Sequence, residues 1–280
     1  MRELAPRTPG KDDALNLHSL GYRTDMIFAR FHGKVEDLGD AVCIAHPESP
    51  GFYFGNLLVF RHPPQAGDRS RWEALFAQHV GAPPQTRHRL FGWDVPATRE
   101  ADVQDFLDAG YHLEESLVMA APRLHAPPRL NTQAEYRPLR DTDEEWQAAV
   151  ENQVAGREEG HDEARYRAFK TSQFRGYRAM ARAGLGFWYG AFLEGRLAAD
   201  LGVFFDGTGL LRYQSVTTHP DCRRQGLCGA LTFLAGQHAQ NHFGARELVI
   251  VADDHAEAKR VYASVGFQEA ERQQLLLHRG

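Results

Sequence analysis

The sequence contains few of the residues that would indicate a metal, a disulfide framework or a membrane span. Its 280 residues include three cysteines, Cys43, Cys222 and Cys228, which show neither metal-ligand nor disulfide spacing. The 14 histidines form no H-E-x-x-H or similar pattern, so we expect no metal. No run approaches the roughly 20 apolar residues of a membrane span, and the first residues lack the apolar core of a signal peptide. These absences predict a cytoplasmic protein with no membrane partner.

The sequence also lacks an excess of positive charge. The formal net charge is −5, from 32 basic and 37 acidic residues. This balance disfavours non-specific binding to nucleic acid, so we expect no nucleic-acid partner. A content of 42% apolar and 25% charged residues is ordinary for a globular protein, and the length suits two domains that each bury a core.

The clearest break in the chain is the proline-rich stretch Ala120–Asn131. Its paired prolines cannot continue a helix or a central strand. We therefore predict a first domain at residues 1–125, a linker at 126–131 and a second domain at 132–280.

A short internal repeat relates the two halves. Phe106–Glu115 parallels Tyr262–Glu271 and aligns Gly110 with Gly266, and an apolar strand leading to an acidic turn precedes each copy. We interpret this as a duplication. The first half has nothing in its sequence that matches the basic glycine loop described below.

The second half carries clear secondary-structure signals. Turn residues separate apolar segments at the spacing of an antiparallel meander, and two helices precede it. The predicted order is an edge strand at Glu135–Leu139, helices at Thr142–Gln153 and His161–Ala183, and strands at Phe187–Phe192, Leu197–Phe205 and Leu210–Thr218. A helix beginning near Leu227, a strand buried on both faces at Leu248–Val251 and a last helix ending at Gly266 complete it.

The basic loop His219–Gly226 joins the last meander strand to a helix. Gly226 lets the backbone approach a ligand, Arg223 and Arg224 add charge, and the helix start offers unpaired N–H groups. This combination predicts a phosphate or pyrophosphate site. A P-loop would require Gly-Lys-Ser or Gly-Lys-Thr, and a Rossmann unit would require G-x-G-x-x-G. Neither is present. The helix N-terminus should also lower the pKa of the Cys228 thiol.

Two linked motifs resemble those of the GNAT acetyltransferase superfamily. The first is Arg223-Arg224-Gln225-Gly226-Leu227-Cys228, where Cys228 replaces the usual Gly or Ala and Gly229 follows. The second matches His255, Ala258, Tyr262, Gly266 and Phe267, with His255 in place of the usual Asn. The match spans Leu210 to about Ala270. It implies an α/β fold (an α+β mixed sheet) of two tandem GNAT-like domains, each a mostly antiparallel twisted sheet flanked by helices, the first degenerate and lacking the cofactor loop.

The resemblance also implies acetyl-CoA as cosubstrate and no metal. Main-chain groups at the end of the meander would pair with the pantetheine arm, and loop N–H groups would hold the pyrophosphate. The thioester would lie where the sheet opens between the strands ending at Thr218 and near Val251. The candidate cofactor-binding residues are Val216, Thr217, Thr218, Arg223, Arg224, Gln225, Gly226, Leu227, Cys228, Gly229 and His255.

Tyr262 is the candidate general acid, which would protonate the departing thiolate. A phenol pKa of about 10 lies above the roughly 8.5 of a thiol, so the transfer is possible in a desolvated cleft. The alternative is that Tyr262 only packs on an amphipathic helix. Phe106, its counterpart in the repeat, has no hydroxyl, so we expect chemistry in the second half only.

The general base stays open. Where many relatives of the family carry a carboxylate, this sequence has Gln214, which cannot accept a proton. Glu158 and Glu159 are base candidates, and His161 and Asp200 are further choices. The E-E-G-H segment is more often a solvated helix junction, and a water chain without a dedicated base would serve equally well.

The sequence thus predicts an N-acetyltransferase that moves an acetyl group from acetyl-CoA to an amine by direct attack in a ternary complex. The alternative is a non-catalytic acyl-CoA sensor or pseudo-enzyme, in keeping with Gln214. The acceptor is a small-molecule or peptide amine, recognised by the helices between Thr142 and Ala183 and at the domain junction. Because a fused copy could replace a second subunit, we expect a monomer or weak dimer.

Overall fold

The computed structural model describes residues 15–95, 101–158, 160–252 and 256–280, without the side chain of residue 256. In the first half, the strands Ala41–Ala45 and Leu57–Phe60 are uninterrupted apolar runs, which is typical of strands covered on both faces. The helices are α1 (Leu20–His32), α2 (Asp68–His79) and α3 (Gln104–Asp108), and the strands are β1 (Lys34–Asp37), β2 (Ala41–Ala45), β3 (Leu57–Phe60), β4 (Arg89–Trp93) and β5 (His112–Ala121).

The second half follows the predicted order to within a few residues at each end. Its elements are β6 (Glu135–Pro138), α4 (Asp143–Ala155), α5 (Glu163–Arg182), β7 (Gly186–Leu193), β8 (Arg196–Phe205), β9 (Leu210–Thr218), α6 (Leu227–Phe243), β10 (Glu247–Ala252), α7 (Ala256–Ala263) and β11 (Gln268–His278). Thr142 caps α4, because its side chain accepts a hydrogen bond from the Glu145 N–H. The sequence did not predict β11.

The strands of the described residues all join one eleven-stranded sheet in the order β1-β2-β3-β4-β11-β5-β10-β9-β8-β7-β6. The two halves repeat the same pairings. The β3–β4 and β9–β10 pairs are parallel, and the strands before them form antiparallel meanders. This correspondence confirms the predicted α/β mixed sheet built from two similar halves.

The halves are joined by an exchange of strands. β11, from the second half, lies between β4 and β5 of the first half, and β5 in turn pairs with β10 of the second half. The central β5–β11 pair is antiparallel and places Ser116 opposite Gln273. Each half therefore completes its sheet with a strand from the other. The division of the chain at residues 126–131 stays a prediction.

Helices cover both faces of the sheet and give each half two core clusters. On one face, α6 and α7 bury a cluster that contains Tyr213 and Tyr262, and α2 and α3 bury one around Trp72. On the other face, α4 and α5 pack around Trp188, and α1 contributes Tyr22 to a cluster with β2, β3 and β4. The α1 and α5 helices therefore lie on the same side of the sheet, above its centre.

The connection between β5 and β6 is attached to the second half over its length. The His125 N–H donates to the Val265 carbonyl at 3.0 Å, and Asn131 Nδ2 donates to the Gln225 carbonyl at 2.8 Å. Pro127 lies against Gly229. This segment therefore packs beside the start of α6 and reaches the basic loop.

Candidate active site

The sheet opens at the carboxyl end of the β9–β10 pair. Within the described residues, the parallel ladder runs only from Leu210 to Tyr213 on β9 and from Glu247 to Ile250 on β10. Beyond it, Val251 and Ala252 continue beside β5, and β9 continues beside β8. The half-buried residues Val216, Thr217 and Thr218 lie on this diverging part of β9. A strand edge that leaves its neighbour is a template for another extended chain.

A β-bulge marks the point of divergence. Asp200 of β8 is opposite Thr217, but Gly202 is opposite Gln214, so β9 has one extra residue between these two pairs. Ser215 takes a positive φ of 49° at this bulge. The amide Nε2 of Gln153, on α4, donates to the Ser215 carbonyl at 2.8 Å and holds the bulge from the helix side.

Asp200, one of the possible bases, supports the bulge through Gln153. It is fully buried and accepts hydrogen bonds from Asn152 Nδ2 at 2.5 Å, Gln153 Nε2 at 2.9 Å and Trp188 Nε1 at 3.0 Å. Burial raises the pKa of its carboxyl group to about 7, against the lowering effect of these donors. Because Asp200 fixes the amide that holds Ser215, we interpret it as a positioning residue.

Asp200→Asn is expected to change how stability depends on pH. The raised pKa means that the folded chain keeps a proton that the unfolded chain releases above about pH 4, so the wild type loses stability as the pH rises towards 7. The wild-type free energy of unfolding should therefore fall relative to that of the variant, by at most about 1.4 kcal/mol per pH unit. Urea unfolding at pH 5, 6, 7 and 8 measures this difference. Asp143→Asn, at an exposed position on α4, is the matched control, and parallel curves for wild type and Asp200→Asn would contradict the assignment.

The basic loop is exposed at the start of α6. Arg224 and Gly226 adopt positive φ values of 63° and 78°, and Gly226 is the N-cap residue of the helix. The side chains of Arg223 and Arg224 are exposed and, in the part of the chain that the structure describes, form no ion pair with a carboxylate. The loop thus combines free cationic side chains with a glycine-capped helix N-terminus, a donor set that fits a diphosphate.

The first half has a loop at the equivalent position, between β3 and α2. It also ends at a left-handed glycine, Gly67, with φ of 86°. The next residue, however, is Asp68, whose Oδ2 accepts a hydrogen bond from the Gln65 N–H at 3.0 Å and which pairs with Arg71. The carboxylate of Asp68 takes up a loop donor and adds negative charge, so this loop is poorly suited to an anion.

The prediction that the helix N-terminus lowers the pKa of the Cys228 thiol was wrong. Burial raises the pKa of its thiol to about 11, although it lies in the first turn of α6. Loss of water around the sulfur disfavours the thiolate more than the helix dipole favours it.

The structure separates the other candidates. Tyr262 is 6% exposed on α7 and packs with Phe267 in the core on the α6 face of the sheet. Glu158 and His161 are exposed in the connection between α4 and α5. Glu159 and His255 lie outside the described residues.

A cavity of about 620 Å³ lies between the halves, on the α1 and α5 side of the sheet. We call it the central cavity. Its walls include α1, α5 and the loop between β2 and β3, and its base is formed by Ser116 and Gln273 of the exchanged strands. It reaches the sheet opening at Gln214, Ser215 and Val251. The sequence predicted that the acceptor is recognised at the domain junction and by the two helices after Thr142. The cavity lies at the junction of the two halves, and α5 is the one of these two helices that lines it.

Sequence reasoning missed Asp25, a carboxylate in the central cavity. Its Oδ1 pairs with Arg212 Nη1 at 3.0 Å, and about 33% of its side-chain surface is accessible. Burial raises the pKa of the Asp25 carboxyl group, and Arg212 opposes that shift. No local signal marks Asp25, because its setting depends on the contact of α1 with a strand of the other half.

Comparison with known proteins identifies the second half. Residues 144–275 match the family described as Acetyltransferase (GNAT) domain. The second half of the chain thus carries a GNAT domain. No curated protein matches the chain.

Solved structures share the fold along most of the chain. A functionally unknown conserved protein from Staphylococcus epidermidis aligns with a TM-score of 0.68 at 11% identity, over 89% of this chain and 95% of that one. A GCN5-related N-acetyltransferase from Kribbella flavida aligns at 0.60 and 16% identity, over 94% and 97%. A tandem GNAT protein from the clavulanic acid biosynthesis pathway aligns at 0.53 and 15% identity, over 80% and 75%. The GNAT architecture therefore extends over both halves.

The GNAT domain of the second half supports, in general, an acyltransferase that uses an acyl-CoA. Within the described ranges, no group of three or more His, Cys, Asp or Glu side chains could hold a metal ion. None of the described helices combines the length and hydropathy that crossing a bilayer requires.

Proposed function

We propose that the second half transfers an acetyl group from acetyl-CoA to the amine of an acceptor by direct attack in a ternary complex. The observation that carries this proposal is the alignment of three features. The exposed basic loop lies at the start of α6, the edge of β9 diverges next to it, and the central cavity reaches the same opening. Cosubstrate and acceptor can therefore approach one point of the sheet from different sides.

The cofactor half of the site is built from main-chain groups. The edge at Val216–Thr218 would pair with the amide groups of the pantetheine arm, and the N–H groups from Arg224 to Gly229 would hold the pyrophosphate. The charges of Arg223 and Arg224 strengthen that binding. His255, by its place in the family motif, would complete the set.

The chemistry then requires two proton movements. The acceptor nitrogen attacks the thioester carbon, the carbon–sulfur bond breaks, and Tyr262 donates its phenolic proton to the leaving sulfur. The attacking amine releases a proton to water. Glu158 and Glu159, which lie between α4 and α5 in the sequence, are the candidate bases that would accept the proton from that water. Asp200 is enclosed behind the bulge and keeps Ser215 in position instead.

Two measurements test the proposal. Isothermal calorimetry with coenzyme A should detect binding, and release of free thiol from acetyl-CoA should accelerate in the presence of a suitable amine. Binding without accelerated thiol release would favour the sensor, and the absence of binding would reject both functions.

Replacing both Arg223 and Arg224 with Gln should weaken coenzyme A binding roughly tenfold, since two charge-assisted contacts to phosphate are lost. The loss should shrink as salt concentration increases, because salt screens exposed charges. Arg196→Gln, at the exposed first residue of β8, is the matched control and should bind normally. Equal affinity of the double variant and the wild type at low salt would contradict the phosphate role.

A further inference from the structure

The central cavity has the chemistry of a cation site with a flat apolar wall. Aromatic rings from both halves surround it, and the two at its rim leave apolar surface accessible, Phe54 at 55% and Phe169 at 39%. The rings of Phe52 and Phe169, from opposite halves, are 5.9 Å apart. The aromatic lining residues are Tyr22, Phe28, Phe52, Phe54, Phe169 and Tyr177.

Asp25 is the carboxylate that lines the cavity. Its partner, Arg212, is only 8% exposed at its side chain and is already held by Asp25, by Thr24 Oγ1 at 2.7 Å and by the Tyr213 carbonyl at 3.2 Å. The carboxylate is therefore more accessible from the cavity than the guanidinium. His32 also lines the cavity, but burial and the neighbouring His46 lower its pKa, which keeps it uncharged near neutral pH. An ammonium group is the ion that this arrangement favours.

The carboxylate is close to the reacting end of the sheet. Arg212 and Gln214 are two residues apart on β9, so they point to the same face and lie roughly 7 Å apart along the strand. Tyr213, between them, points to the opposite face, where its hydroxyl donates to the Thr232 carbonyl. A cation on Asp25 is thus held near Gln214 and Ser215, where the sheet opens.

Gln273, at the base of the cavity, has a side-chain hydrogen-bond donor without an acceptor among the described residues. Gln273 is 6% exposed and its Nε2 has no hydrogen-bond partner in the described structure. Buried donors without a protein partner are usually satisfied by water or a ligand. The cavity volume of about 620 Å³ lies in the range of small-molecule sites.

We propose that the central cavity binds the acceptor, and that the acceptor is a small primary amine carrying an aromatic group, with its ammonium against Asp25 and its ring among Phe52, Phe54 and Phe169. This inference rests on the proposed acetyl transfer, because it names the acceptor class of the same site. It also makes the first half a contributor of acceptor-binding residues.

Calorimetry on the full chain tests the inference with three matched probes. We expect 2-phenylethylamine to bind at least tenfold more tightly than 2-phenylethanol, which lacks the charge, and than ethylamine, which lacks the ring. Equal binding of the amine and the alcohol, or no binding of the amine, would overturn the inference.

Two variants locate the site. Asp25→Asn should weaken 2-phenylethylamine binding at least tenfold and leave 2-phenylethanol binding within twofold, whereas Asp143→Asn should change neither. Gly51→Trp should abolish binding of both probes, since Gly51 lines the cavity and a side chain there meets open space. Leu107→Trp, at an exposed position on α3, is its control. If Asp25→Asn fails to fold, the Gly51→Trp result decides alone, and unchanged amine binding in that variant overturns the inference.

The same titrations separate this inference from the proposed function. Amine binding without coenzyme A binding would keep the cavity assignment and reject the acetyl transfer. Coenzyme A binding and turnover with other amines, without 2-phenylethylamine binding, would reject the acceptor class and keep the transfer.

Discussion

Tyr262→Phe is expected to lower kcat for acetyl transfer roughly 100-fold while leaving coenzyme A affinity within twofold of the wild type. The phenolic proton is needed only when the thiolate departs, so its loss raises the barrier without changing ground-state binding of the cosubstrate. The ring remains, and with it the packing against Phe267 in the core. Steady-state kinetics of thiol release and calorimetry with coenzyme A measure the two effects separately.

A tyrosine of the first half provides the control for this substitution. Tyr111 is also buried, and its hydroxyl donates to Glu73 at 3.0 Å, on the opposite half from the reacting groups. Tyr111→Phe removes a hydroxyl with the same change in volume and should leave kcat unaltered. If Tyr262→Phe also retained full kcat, Tyr262 would be a packing residue and another group would have to protonate the leaving sulfur.

Gly226→Val should raise the dissociation constant for coenzyme A roughly 100-fold, which corresponds to about 2.7 kcal/mol. A residue other than glycine is strained at a φ of 78°, and a Cβ atom there would lie 3.2 Å from the Arg129 carbonyl. The loop must then change shape, and its N–H groups no longer converge on one anion. The free energy of unfolding should fall by about 1–2 kcal/mol as well.

Gly207→Val separates strain from function. Gly207 has nearly the same φ, 83°, in the turn between β8 and β9, and a Cβ atom there meets open space. Its stability should fall by a similar amount, and its coenzyme A affinity should not change. Equal coenzyme A affinity for the two valine variants would mean that the loop does not bind the pyrophosphate.

Local patterns predicted much of the second half. The Thr142 cap, the turns of the meander and the apolar run at β10 each depend on neighbouring residues, and the structure confirms these elements. The short repeat around Gly110 and Gly266 also corresponds to equivalent helix–strand units, α3–β5 and α7–β11.

The features that the sequence did not predict depend on contacts between distant segments. The first residues of β11 are polar and exposed, so they show no strand pattern. They become a strand because they pair with β5, and only the last residues, Leu275–His278, also pair with β4. Asp25 likewise acquires its role from an ion pair with Arg212, across the two halves. Such groups become visible only when the sheet order is known.

The position of β11 sets the order in which the protein can be completed during synthesis. The ribosome makes β4 and β5 long before β11, yet β11 lies between them. Until the last eleven-residue strand emerges, the first half has a gap in its sheet, and the edges of β4 and β5 that will flank β11 stay unpaired. Nascent chains stalled before residue 268 should therefore be sensitive to protease in both halves.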